Sequence, residues 1–128
     1  MQAEDAVVVA DLEAGIGTLT RLSEAAVDVT VVVVEPTPRS IDVASRAVTV
    51  ASEQGQGRLI VVANKVTDDD DRARIRDAFA DLPIVEVPSD AAIDEADRLG
   101  LSPVDHAPGC PAVAALEELA ALVAPRVG

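Results

Sequence analysis

Four short, nearly unbroken runs of valine, isoleucine, leucine and alanine limit what this chain can fold into. Ala6–Ala10, Val29–Glu35, Leu59–Asn64 and Ile84–Val87 are apolar at successive positions rather than alternate ones. A strand with one wet face alternates, whereas a strand covered on both faces does not. Between the runs lie segments of helical spacing: Leu19–Ala26, Arg39–Gln54, Asp68–Leu82, Ala91–Leu99 and Pro111–Ala124. In the second of these, Ile41, Ala44, Ala47, Val48 and Ala51 fall on one face, and Ser40 is a candidate cap. Gly55 and Gly57 supply the turn into the third strand. Asp68–Leu82 opens on four aspartates, which suit the positive end of a helix dipole.

Repeated strand–helix–strand units imply parallel strands joined by right-handed crossovers. The expected fold is α/β: a three-layer sandwich with a mainly parallel sheet, P-loop NTPase or Rossmann-like, forming a single domain over residues 1–128. Gly100–Gly109, which holds Pro103 and Pro108, is the least regular stretch.

Composition narrows the function. Phe79 is the sole aromatic residue, so stacking platforms for nucleic-acid bases are missing. The formal net charge of -13 repels phosphate backbones at long range. Nucleic-acid binding is therefore not expected. No apolar run reaches membrane-spanning length, so no integral membrane contact is expected. One cysteine rules out an internal disulfide and fits a reducing cytoplasm.

The polar residues that close the strands carry the functional signal. In an open parallel sheet, ligands sit beyond the carboxyl ends of the strands. Asp11 closes the first run, where a carboxylate can hold a magnesium ion through its water shell. Alternatively, it caps a helix or turns the chain. Glu13, Gly15 and Gly17 follow in a loop with the freedom to switch conformation. Asn64 and Lys65, the only asparagine and the only lysine, close the third run. An amide offers a donor and an acceptor to the edge of a base, and a lysine stem can lie along its flat face. An ordinary strand-to-loop turn is the other reading. Pro88 ends the fourth run, and Ser89 and Asp90 either cap the next helix or border a base. Val34–Ser40, at the second strand end, could border the same cleft. The Asp68–Asp71 run reads as a solvated helix start rather than a cation site. His106 and Cys110 lack the further ligands a zinc site needs.

In this order and spacing, "VVVADLEAGIGTLTR", "VDVTVVVVEPTPRSIDVASRA", "RLIVVANKV" and "IVEVPSDAAIDEADRLGLSPVD" resemble the C-terminal part of the MinD/ParA-like, SIMIBI-class P-loop ATPases. The likeness is strongest to the CooC-type branch, accessory ATPases of nickel insertion into carbon monoxide dehydrogenase. It covers nearly the whole chain. The resemblance implies that Asp11 to Gly15 with Arg21 form the D-x-E-A-G…R switch stretch, with Asp11 toward magnesium. It makes Glu35, Pro36 and Ser40 the following strand–helix join. Asn64 and Lys65 become adenine contacts, and Pro88, Ser89 and Asp90 the loop that closes over the base. It also implies ATP and Mg2+ as ligands, and a nucleotide-bridged homodimer or a partner chain that completes the sheet. The branch's paired-cysteine metal motif is not matched by Cys110.

One departure governs the functional expectation. The 128 residues hold no G-x-x-x-x-G-K-[ST]. Loop amides and a helix N-terminus provide most phosphate affinity, and the loop and its lysine stabilise the transferring phosphate. The chain alone is thus expected to bind ATP weakly or not at all and to catalyse nothing, acting as a binding or regulatory module. Two alternatives stay open: the C-terminal half of an active ATPase whose phosphate loop lies outside this sequence, and an unrelated receiver-like or cofactor-binding α/β domain. If Asn64 serves recognition, Asn64→Ala leaves folding nearly unchanged, as urea denaturation followed by circular dichroism will report. A large loss of stability makes the residue structural.

Overall fold

A computed structural model describes residues 7–11, 27–53 and 57–124. Its sheet has the order β1-β2-β3, with β1 Val29–Val34, β2 Arg58–Val66 and β3 Ile84–Pro88. Both pairings are parallel, Val33 lying opposite Val62 and Val62 opposite Val85. The connections are α1, Pro38–Glu53, and α2, Asp69–Ala78. Beyond β3 come α3, Ala91–Leu99, the single turn α4, Pro103–His106, and α5, Pro111–Val123. This is the expected α/β architecture, an open parallel sheet with helices and consistent with a P-loop NTPase-like fold. The short helix α4 gives partial order to a stretch expected to be irregular.

Both faces of β2 are covered, as its unbroken run requires, whereas on β1 Val33 stays 59% exposed. On one face Val32, Val34, Val61, Ala63 and Val66 meet Ala44 of α1, Ile75 of α2 and Phe79 at the C-cap of α2. On the other, Val62 and Val87 meet Ala112 and Ala115 of α5. Small alanines let these helices approach closely, which a core of valine and isoleucine needs to reach full density. Ile75 and Phe79 are the bulky plugs, 1% and 4% exposed. The second connection is shorter as a helix than the spacing predicts. It stops at Ala78 instead of Leu82: the Phe79 backbone leaves helical geometry at φ -129°, ψ 38°, and Pro83 then keeps Leu82 out of the helical region. Phe79 is still delivered to the core.

The first apolar run departs from expectation. Val7 to Ala10 form no strand, and Val7, Val8 and Val9 are 69%, 79% and 84% exposed. An apolar run identifies a candidate strand but not the neighbour that supplies its ladder. Among the described residues that neighbour is lacking, and β1 does not take the segment directly. Asp11 is accordingly exposed and ends no strand of the sheet. The expected helix Leu19–Ala26 lies outside the described residues, as does Gly55.

Gly57 sets the start of β2. Its φ is +57°, and a β-carbon there would stand 2.6 Å from the Val27 carbonyl oxygen and press still harder on that of Asp28. The close approach lets the Arg58 N–H donate to the Asp28 carbonyl at 3.0 Å, which opens the β1–β2 ladder. Gly57→Ala is expected to destabilise the fold by on the order of 2 kcal/mol or more, from left-handed backbone plus the clash. Urea denaturation midpoints measure it, and an unchanged midpoint contradicts this account of the turn.

Candidate functional site

All three strands run the same way, so their carboxyl ends form one rim. Glu35 follows β1, Asn64 and Lys65 lie just before the end of β2, and Ser89 and Asp90 follow Pro88 of β3. The Ser89 N–H donates to the Val66 carbonyl at 2.9 Å, which ties the β3 exit to the β2 exit. Asn64, Lys65, Pro88, Ser89 and Asp90 are thus brought together. Asp11 is not carried there by a sheet strand. Glu13, Gly15 and Arg21 lie outside the described residues.

A β-bulge shapes the middle of the rim. Asn64 pairs with Val87, but Val66 pairs with Pro88, so Lys65 is the extra residue. Lys65 has φ +59°, the left-handed region that non-glycine residues seldom adopt. An extra residue reverses the alternation of side chains. Asn64 keeps the phase of Val62, on the α5 face, whereas Val66 reaches the α1–α2 core. Lys65 is released outward, and its Nζ stands 3.0 Å from Glu35 Oε1. The hydrogen bond and charge of Glu35 hold the Lys65 ammonium above its ordinary pKa, and Asp94 adds to the pull.

Glu35 is itself fixed. Its N–H donates to Ser40 Oγ at 2.9 Å, and its carbonyl accepts from the Thr37 N–H at 2.8 Å. Ser40 therefore serves the strand exit. The cap of α1 falls to Thr37, whose hydroxyl accepts the Ser40 N–H at 3.2 Å. Expecting Ser40 to cap the helix placed the cap three residues late.

Asp90 joins two helices. One carboxylate oxygen accepts the Ala92 N–H at 3.0 Å, capping α3. The other accepts the Ala112 N–H at 3.2 Å, in the first turn of α5. Those amides, with the Cys110 thiol, hold the Asp90 carboxyl below its usual 3.8. Both oxygens are engaged, so Asp90 is committed to the ends of two helices. The link from Asp90 to α5 spans 22 residues, and no local spacing rule reveals it.

The aspartate run is also structural. Asp68 accepts the Asp71 N–H at 2.9 Å as the cap of α2. Asp71 accepts the Thr67 hydroxyl at 2.7 Å and the Thr67 N–H at 3.0 Å, which lowers its pKa. Among the described residues no group of three or more His, Cys, Asp or Glu side chains could hold a metal ion. Nor is any described helix long and apolar enough to cross a membrane. His106 Nε2 lies 3.7 Å from Glu95 Oε1, not against Cys110.

Comparison with known proteins agrees with this frame. The chain is 36% identical over 104 residues to the carbon monoxide dehydrogenase accessory protein CooC of Rhodospirillum rubrum. That match covers 80% of this chain and 40% of CooC. Over four-fifths of its length, then, the chain is similar to part of CooC. It is also 39% identical over 66 residues to an uncharacterised ATP-binding protein of Methanocaldococcus jannaschii, covering 52% of this chain and 26% of that protein. The matches thus span about two-fifths of CooC and a quarter of the second relative. No family model matches it.

The double role of Asp90 yields a pH signature. Its pKa is lower folded than unfolded, so the unfolded chain binds the extra proton. Stability from this group is full above the unfolded value and is lost as the pH falls through the folded one. The gap in Tm between the native chain and Asp90→Ala should be largest near neutrality and close below about pH 4. Paired thermal melts from pH 7 to pH 3 test this, and a gap independent of pH contradicts it.

Proposed function

We propose that this chain carries the base-side part of a CooC-like nucleotide-binding domain, a reading supported above all by the shared rim. Asn64 presents an amide beside the exit of β3, and Lys65 is projected from the same strand end. Asn64 would read the purine edge, the Lys65 stem would lie along the ring, and Pro88 and Ser89 would border it. The donor set suits a neutral planar base. It does not suit a polyphosphate, since the one lysine is tied to Glu35 and net charge is strongly negative. ATP bound here would supply the triphosphate. The chain's own residues would hold and orient the base, with Asp11 the candidate for a magnesium shell.

On this reading the chain is a binding or regulatory module with weak ATP affinity, joined to a second copy or to a partner that completes the sheet. A second reading is favoured by the coverage of the relatives. The match takes in 40% of CooC, which leaves room for a phosphate loop beyond this sequence. The chain would then be the C-terminal half of an active ATPase. An in-frame phosphate-loop motif upstream in the natural gene would favour this second reading.

Titration of the 15N-labelled chain with ATP and Mg2+ tests the base-side role. The amides of Asn64, Lys65 and Ser89 should shift, with a Kd of roughly 0.1–1 mM, because most phosphate contacts are missing. Asn64→Ala should remove those shifts while leaving the rest of the spectrum intact. A micromolar or tighter Kd contradicts the weak-binding module, and shifts confined to other regions contradict the rim.

A further inference from the structure

Two features of the rim go beyond what the bulge itself needs. Lys65 occupies left-handed backbone, φ +59°, where glycine would sit without strain. Its partner Glu35 is held at the backbone on both sides, through Ser40 and Thr37. The ion pair they make is exposed, its side chains 66% and 43% accessible. Exposed pairs contribute little to stability. A strained lysine and a fixed carboxylate that yield little stability point to placement of the side chain itself.

The placement is specific. Lys65 starts on β2, while its ammonium lies 3.0 Å from a carboxylate on the exit of the neighbouring β1. The four-carbon stem therefore crosses the end of the sheet from β2 toward β1. Asn64 precedes it on the same strand, and Ser89 stands across the β2–β3 pairing, tied to Val66. The ammonium is held toward the β1 exit by Glu35, with Asp94 of α3 adding to the pull, while the apolar stem leaves the same strand end as Asn64.

We propose that Glu35 is a positioning residue: by tethering the Lys65 ammonium over the β1 exit, it presents the lysine's methylene stem, rather than its charge, to a planar uncharged ring. The inference rests on the base-binding reading above. It makes the rim selective for the nucleoside moiety over the anionic tail. Release of the tether frees a cation, which then serves phosphate better and the ring worse.

Adenosine, which carries no phosphate, is the probe, read by 15N amide shifts of Asn64, Val87 and Ser89. Glu35→Gln should weaken adenosine binding roughly two- to ten-fold, the cost of immobilising one long side chain afresh. It should also raise the ratio of ATP to adenosine affinity. Lys65→Met, which keeps an apolar stem, should retain more adenosine affinity than Lys65→Ala. The Tm of Glu35→Gln should match that of the native chain. Native adenosine affinity in Glu35→Gln, or a ratio that does not rise, overturns the positioning role while base binding stands. A fall in Tm that accounts for the lost affinity assigns Glu35 to folding and overturns it too. If the native chain shows no adenosine shifts at the rim, the base reading fails and this inference falls with it.

Discussion

The parallel pairing of β2 with both neighbours is the interaction on which the rest depends. Only that register turns three strand ends into one rim. β2 is also the best buried element, with Ile60 to Ala63 at most 3% exposed. Its two faces feed two separate cores, one under α1 and α2 and one under α5. A slip of one residue would exchange those faces and strip both cores at once. The rim is thus mounted on the ends of buried strands, the usual arrangement for a site made from loop residues.

The bulge at Lys65 shows the same logic at finer scale. The chain accepts a left-handed lysine in order to change the phase of side chains by one residue. Val66 then reaches the α1–α2 core while Lys65 leaves the sheet. Local preference alone would put glycine there. That a lysine occupies the position is what separates a turn from a candidate site. Asp90 makes the complementary point, since a residue placed by homology of pattern at a ligand loop is occupied by two helix ends.

Much of the frame was legible in the chain. The three paired strands, α1, α3 and α5 fall within a residue or two of their spacing, because period and punctuation are local properties. The gathering of Asn64, Lys65 and Pro88–Asp90 was legible too, since parallel strands share an end by necessity. Three features were not. The Val7–Ala10 run resembles its neighbours, but a strand requires a ladder, and apolar pattern says nothing of who supplies it. The Glu35–Lys65 pair depends on a bulge, which leaves no mark in composition. The Asp90 bridge depends on the return of α5 to the sheet, 22 residues later.

By itself, then, the order of residues determined the class of fold and the edge of the sheet where polar groups collect. Those follow from burial periodicity and from the handedness of crossovers, which act within one unit at a time. The tertiary structure decided which polar groups are free and which are committed. That outcome turns on hydrogen bonds between elements far apart in the chain, and their geometry exists only once the layers have packed.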